Sequence, residues 1–385
     1  MTQCRDKQMM APCKDHLTRA YIHLDRLTHN LGVLQQLVGA RPLWPAIKAN
    51  AYGHGSEKVA RHLVGLGYTT LCVAHVSEAI ELLEAGIRAK FLLLSASLPE
   101  HSEAIVRYGC EPALCTPEMA QALARSAQRL GREVAVHVMV DTGMGRVGIY
   151  PDQTPAFIQH CQALPGLRVR GLMSHFPRAD QADKTPSREE LARFQRVIEA
   201  TRDQAIEVRH MANSAAILQL PEAHFDAVRP GIALYGLAPS SEVIGPPVAA
   251  LRPVLEWKTR ISFIKEVPTG TGLSYGHIFH TRRPSLIATL PVGYGDGLSR
   301  SHSNRLEVLV RGLRCPQVGR ITMDQSLIDV TALRGQVALG DEVVLIGRQG
   351  EAAISADELA GRLGTINYEI VTAISARVPR VGVSG

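Results

Sequence analysis

Between Arg41 and about Leu237, short apolar and β-branched runs alternate with longer stretches in which apolar positions recur every three or four residues. The runs are 43–47, 69–74, 91–95, 111–115, 134–140, 169–174, 207–211 and 225–229. Eight strands with helices between them predict an α/β fold, a (β/α)8 TIM-like barrel. Ser56 is placed to cap a helix carrying Val59 and Leu63, and Ser77 one carrying Ile80 and Leu83. Gly86 stands where a glycine ends a helix. Around Pro239 to Pro247 the composition turns to Pro, Ser and Gly, and from Leu255 to Ile264 the apolar period becomes two. A mainly β C-terminal domain therefore follows the barrel. The expected division is an N-terminal tail over 1–18, the barrel over 19–245 and the β-rich domain over 246–385.

In such a barrel the C-terminal ends of the strands meet at one mouth, and chemistry gathers there. Lys48 ends the first run, in Leu43-Trp-Pro-Ala-Ile-Lys48-Ala-Asn-Ala-Tyr52-Gly-His-Gly55. Desolvation disfavours an ammonium, so a lysine at a buried strand end can supply the neutral amine of a Schiff base, for which pyridoxal phosphate is the natural carbonyl partner. A strand-terminal lysine can also be a snorkelling surface residue. Later strand ends carry Asp141-Thr-Gly-Met-Gly-Arg146, Ser174-His175, Met211-Ala-Asn-Ser214 and Val228-Arg229-Pro-Gly231-Ile232. Singly, Asp141 and Asn213 read as caps or turn formers, Arg146 as a solvated charge and His175 as a core histidine. Their shared placement at successive strand ends favours a site. Ser214 and the Gly231-Ile232 backbone fit a phosphate, which wants convergent hydroxyl and amide donors without bulk.

The lysine string resembles the cofactor-lysine signature of the alanine racemase family. Further matches are Asp141-Thr-Gly-Met, Arg229-Pro-Gly-Ile, Ser274-Tyr-Gly and Gly319-Arg-Ile-Thr-Met-Asp-Gln, so the resemblance spans roughly residues 20 to 382. It implies a pyridoxal 5'-phosphate enzyme that interconverts L-alanine and D-alanine through an external aldimine, with Lys48 and Tyr275 as bases on opposite faces of Cα. It also implies a homodimer with shared active sites, in which Tyr275 and Met323 reach the site from the partner subunit. By the same resemblance Tyr52 and Tyr368 bind the phosphate, Arg229 meets the pyridine nitrogen and keeps it largely unprotonated, and His175 sits by the ring and relays to Arg229. Arg146 and Met323 meet the substrate carboxylate, and Tyr294 lines the entrance. Racemisation of serine or of a broader range of amino acids uses the same machinery and stays open. A decarboxylase would want an acid where Arg229 stands, and a pyridoxal-phosphate carrier would not need Tyr275 or Met323.

One position departs from the family pattern. Many members carry a carbamylated lysine two residues before the Asp-Thr-Gly-Met segment, and this chain has Met139 there. Arg146 is then expected to be oriented by a bound anion or by a neighbouring acid.

Composition narrows the classes. Lys and Arg number 42 against 36 Asp and Glu, but the basic residues are scattered without interleaved aromatics, which argues against nucleic acid. Seven dispersed cysteines without a CxxC pair suggest reduced thiols in a cytoplasm. No apolar leader or membrane-length run is expected, and no His/Cys/Asp cluster has metal-ligand spacing.

Overall fold

The computed structural model describes residues 16–383, so most of the expected N-terminal tail lies outside the described residues. The chain divides into two compact units, one spanning His23–Val254 and the other combining the segment up to Ile22 with Leu255–Val381.

In the first unit the strands Thr70–Val73, Lys90–Leu93, Glu111–Leu114, Val134–Met139, Leu167–Met173 and Val208–His210 form a parallel sheet in chain order. Two further segments close it. Trp44 and Ala46 donate to the carbonyls of Val228 and Pro230, each at 2.8 Å, while Ile47 donates to Cys72 and Cys72 to Pro45, also at 2.8 Å. On the far side Asp226 donates to Arg209 at 3.0 Å and Arg229 to Ala212 at 2.9 Å. The ring of eight is the expected barrel. Pro42, Pro45 and Pro230 lack amide donors, so the two closing segments make scattered bridges instead of full ladders.

The helix ends correct two of the expected caps. Helix Ser56–Gly65 follows Gly55, and Ser56 is its first residue, its amide donating to Asn50 Oδ1 at 2.8 Å. Helix Val76–Glu84 starts after His75, one residue before Ser77. The amides just ahead of it are taken by the Glu78 carboxylate, which accepts from Ala74 at 2.7 Å and His75 at 3.2 Å. A carboxylate in the first turn bonds these donors more strongly than a serine hydroxyl does. Gly86, at φ +85°, ends this helix where expected.

The second unit is mainly β. Its larger sheet runs Leu313–Pro316, Glu307–Val310, Glu342–Gln349, Leu255–Arg260, Arg19–His23, Arg380–Val383, with Ala352–Ile354 added to Glu342–Gln349. A three-stranded sheet, Ser326–Asp329, Ser285–Leu290, Phe263–Val267, packs Val267 and Ile287 with Leu273 and Val318.

Both expected boundaries move. Arg19 to Ile22 pair antiparallel with Lys258 to Leu255, so this strand belongs with the β unit and not with the barrel. Thr18, placed in the tail by sequence, is fully buried, its Oγ1 2.8 Å from both Thr259 Oγ1 and the Pro291 carbonyl. The Pro/Gly-rich stretch near 245 is a loop of the barrel unit: Asn30 donates to the carbonyls of Leu234 and Arg252 and accepts from the Arg252 amide, holding the chain to the barrel until Val254. The composition shift marks a loop, and the crossing follows it.

Candidate active site

Lys48 leaves the first barrel segment into a turn of the wrong hand. Ala49, Asn50, Ala51 and Tyr52 have φ of 52°, 54°, 54° and 52°, a left-handed helical turn built without glycine. Each such L-residue costs roughly 1–2 kcal/mol, so the turn needs outside support. Glu78 Oε1 accepts from Ala49 at 2.6 Å. The fully buried His54 places Nδ1 at 3.0 Å and 2.9 Å from the carbonyls of Ala51 and Tyr52, which makes Nδ1 the protonated nitrogen. Its ring stacks on Tyr235 at 4.4 Å, and the Tyr235 hydroxyl donates to Ala46 at 2.9 Å. These contacts fix the backbone on both sides of Lys48.

Four strand ends share one electrostatic neighbourhood. Burial lowers the pKa of Lys48 and the Arg146 guanidinium lowers it further, against opposing effects of Cys72 and Glu78, with Arg229 the smallest lowering contribution. Burial, with the charges of Arg229, Lys48 and Arg146, pushes the His175 imidazole down to about 3, so it is neutral at physiological pH. Burial brings Arg229 down to about 10, which still leaves it charged. A lysine poised toward its neutral form among fixed cations is suited to nucleophilic and proton-transfer work.

Beside them lies a cradle for an anion. Ser214 Oγ accepts from the amides of Gly231 at 2.8 Å and Ala233 at 3.2 Å, so its own hydrogen remains to donate. A Cβ on Gly231 would lie 2.5 Å from the Tyr52 hydroxyl and 3.8 Å from Ser214 Oγ. The glycine is required for this close approach. Ile232 opens a 3-10 turn, Ile232–Tyr235, and its amide has no acceptor within that turn. Two hydroxyls and the Ile232 amide thus converge as a phosphate requires.

Behind the cradle runs a buried chain of hydrogen bonds that sequence reasoning missed. Arg229 hydrogen-bonds His210 Nδ1 and donates to the carbonyls of His210, Ser174 and Met211. His210 Nε2 lies 2.8 Å from His137 Nδ1, and His137 Nε2 lies 3.0 Å from Glu111 Oε2. Arg170 pairs with the same carboxylate, and the Trp44 ring packs edge-on against both histidines at 4.9 Å and 5.9 Å. Burial raises the Glu111 pKa, but the hydrogen bond and charge of His137 and the Arg170 guanidinium outweigh it and hold the carboxyl at about 2. The expected relay from Arg229 through His175 is thereby corrected: Arg229 bonds His210, and His175 shares no hydrogen bond with it. His175 lies two residues past the end of strand Leu167–Met173, while His210 is the last residue of its strand and bonds Arg229. The available signal was polar residues, Glu111, His137, Arg170 and His210, inside otherwise apolar barrel strands.

Arg146 is exposed and forms no hydrogen bond or ion pair among the described residues, so no acid orients it. Met139 is buried with Ala113 and Met173, against which Leu94, Cys115 and Val147 pack. The β unit carries the remaining four residues. Tyr275 is 71% exposed, Met323 52% and Tyr294 43%. The turns bearing the last two are joined, Tyr294 donating to the Thr322 carbonyl at 3.0 Å and Gly295 to that of Met323 at 2.8 Å. Tyr368 lies half-buried in helix Asn367–Ala373. Among the described residues no cluster of three His, Cys, Asp or Glu could hold a metal, and no helix is long and apolar enough to cross a membrane.

Comparison with known proteins gives one answer across both units. The family described as "Alanine racemase, N-terminal domain" matches residues 22–239, and "Alanine racemase, C-terminal domain" matches 254–382. The alanine racemase of Halothermothrix orenii is 44% identical over 94% of this chain and 96% of its own, and that of Clostridium novyi 40% over 94% of each. Among solved structures, alanine racemase of Clostridium difficile 630 superposes with a TM-score of 0.91 at 34% identity, over 96% of this chain and 97% of that one. That of Bacillus anthracis, with bound L-Ala-P, gives 0.89 at 35% identity, over 96% and 95%. The lysine-bearing turn, the cradle and the two-unit chain are accordingly those of a member of the alanine racemase family.

Proposed function

We propose that this protein is a pyridoxal-phosphate-dependent alanine racemase, interconverting L-alanine and D-alanine as a homodimer with shared active sites. The observation that carries the reading is Lys48, held toward its neutral form by burial and by Arg146 at the barrel mouth, beside the cradle of Tyr52, Ser214, Gly231 and Ile232. That cradle fits a phosphate ester, for which the family resemblance names Tyr368 as a further candidate hydroxyl. When bound, pyridoxal phosphate supplies an electron-withdrawing ring that acidifies the Cα–H of an amino acid joined to it.

The chain's own residues do the rest. Lys48 takes or returns the Cα proton on one face, and Tyr275 of the partner subunit serves the other. Arg146 and Met323 of the partner subunit bind the carboxylate, while Tyr294 narrows the entrance. Arg229 would hold the pyridine nitrogen of the bound cofactor; a guanidinium does not release its proton in this range, so it would leave that nitrogen an acceptor. Neutral His175 would line the ring. The large exposure of Tyr275 and Met323 supports their use by a second copy of the chain. A cytoplasmic place is supported by the five described cysteines, all free thiols.

Racemisation of serine or of a wider set of amino acids would employ the same groups and differ in pocket size. The deciding experiment offers L-alanine, L-serine and L-lysine to the pyridoxal-phosphate-loaded protein in deuterated water and follows the D-isomer and Cα deuterium. Alanine turnover well above the others is expected. A flat profile would replace the reading by a broad-specificity racemase, and exchange without inversion would replace it by a carrier or decarboxylase.

A further inference from the structure

The loop carrying Arg146 is clamped from behind by helix Thr185–Ala200. Asp141 Oδ1 accepts from the amides of Gly143 at 3.0 Å and Gly145 at 3.1 Å. Ser174 Oγ donates to the Val140 carbonyl at 2.8 Å, so Thr142 Oγ1, 2.8 Å away, donates to Ser174. The Thr142 carbonyl accepts from Arg193 Nη1 at 2.6 Å. Gly143, at φ +145°, lies against the same helix: a Cβ there would meet Arg193 Nη1 at 3.2 Å and Glu190 Cγ at 3.3 Å. Glu190 is fully buried and forms the wall of this contact.

Arg146 has no hydrogen-bond or ion-pair partner of its own among the described residues, so the backbone of this loop is what sets the point from which its side chain departs. Asp141 and Thr142 tie the loop within the strand ends, whereas Arg193 is its charged tether to the outer helix layer. We infer that Arg193 is a positioning residue for substrate binding, acting through the Thr142 carbonyl and Gly143 to aim Arg146. The inference rests on the reading of Arg146 as the group that meets the substrate carboxylate.

The test combines kinetics of the loaded enzyme with hydrogen exchange of the cofactor-free protein. Arg193→Ala is expected to raise KM for alanine about fivefold or more while changing kcat by less than about twofold, because a misdirected guanidinium binds the carboxylate poorly. Arg193→Lys, which can still donate to a carbonyl, should recover most of the loss. In an Arg146→Ala background Arg193→Ala should add nothing, as expected of two residues acting in series. Amide exchange of Gly143 and Gly145 should accelerate in Arg193→Ala, with helix Thr185–Ala200 unchanged. An unchanged KM in Arg193→Ala, with Arg146→Ala raising it, overturns the inference and leaves the role of Arg146 standing. Arg146→Ala without effect on KM overturns that role instead. Equal losses from Arg193→Ala in both backgrounds, or faster exchange along the whole helix, reduce Arg193 to a structural residue.

Discussion

Arg229 donates to His210, and because a guanidinium has no lone pair to offer, this one hydrogen bond sets the direction of every bond behind it. His210 must accept at Nδ1 and therefore carry its hydrogen at Nε2. His137 then accepts at Nδ1 and donates from Nε2 to Glu111. A single arrangement of hydrogens satisfies the whole row, and it ends on a carboxylate whose charge Arg170 answers.

Removing that final charge should unsettle the barrel interior. Glu111→Gln leaves Arg170 without its buried partner, and breaking such a pair costs roughly 3 kcal/mol. A urea-unfolding midpoint near that of the parent protein would contradict the arrangement.

Acid should weaken the fold in two steps. Burial holds His137, His175 and His210 below their ordinary pKa, with His175 at about 3, so each is neutral in the fold but takes up a proton in the unfolded chain below about 6.5. Their contribution is complete above that value and is lost as pH falls through 6.5 toward 3. Glu111, depressed from 4.5 to about 2, contributes fully above 4.5 and is lost as pH falls from there to 2. Melting temperatures measured at pH 7, 6 and 5 should fall in order, with proton uptake on unfolding. A flat profile across that range would count against neutral buried histidines.

The cradle can be tested without touching a charged residue. Gly231→Ala puts a methyl 2.5 Å from the Tyr52 hydroxyl. Spectroscopic titration should show pyridoxal phosphate bound at least about tenfold more weakly, the scale of a lost well-placed contact, with pyridoxal lacking the phosphate little affected. Equal weakening of both would move the phosphate elsewhere.

The left-handed turn separates side chains by shape. Ala49 is exposed at φ +52°, so Ala49→Val should cost about 1–2 kcal/mol of stability through its branched Cβ, and Ala49→Gly should cost little or stabilise. The reverse order in thermal melts would refute a strained turn.

The barrel was legible because its strand runs and intervening helices repeat a local pattern eight times, and Lys48, Arg229 and Ser214 stood out as polar residues at strand ends. What escaped depended on partners distant in sequence. Glu78 outcompetes Ser77 as the cap because it also reaches Ala49, across 29 positions. Thr18 looked like tail because nothing near it in sequence predicts Thr259 and Pro291. His210 and His137 lie in apolar strands that the sequence analysis did not single out, and only the closed barrel lines them up behind Arg229.

Four successive L-residues of the wrong hand follow Lys48, and no local preference ever favours that conformation. Glu78, His54 and Tyr235 hold it, and they come from a following helix, a glycine turn and the last barrel segment. The lysine therefore acquires its geometry only after both ends of the barrel have met. A half-formed chain carries the amine without the aim.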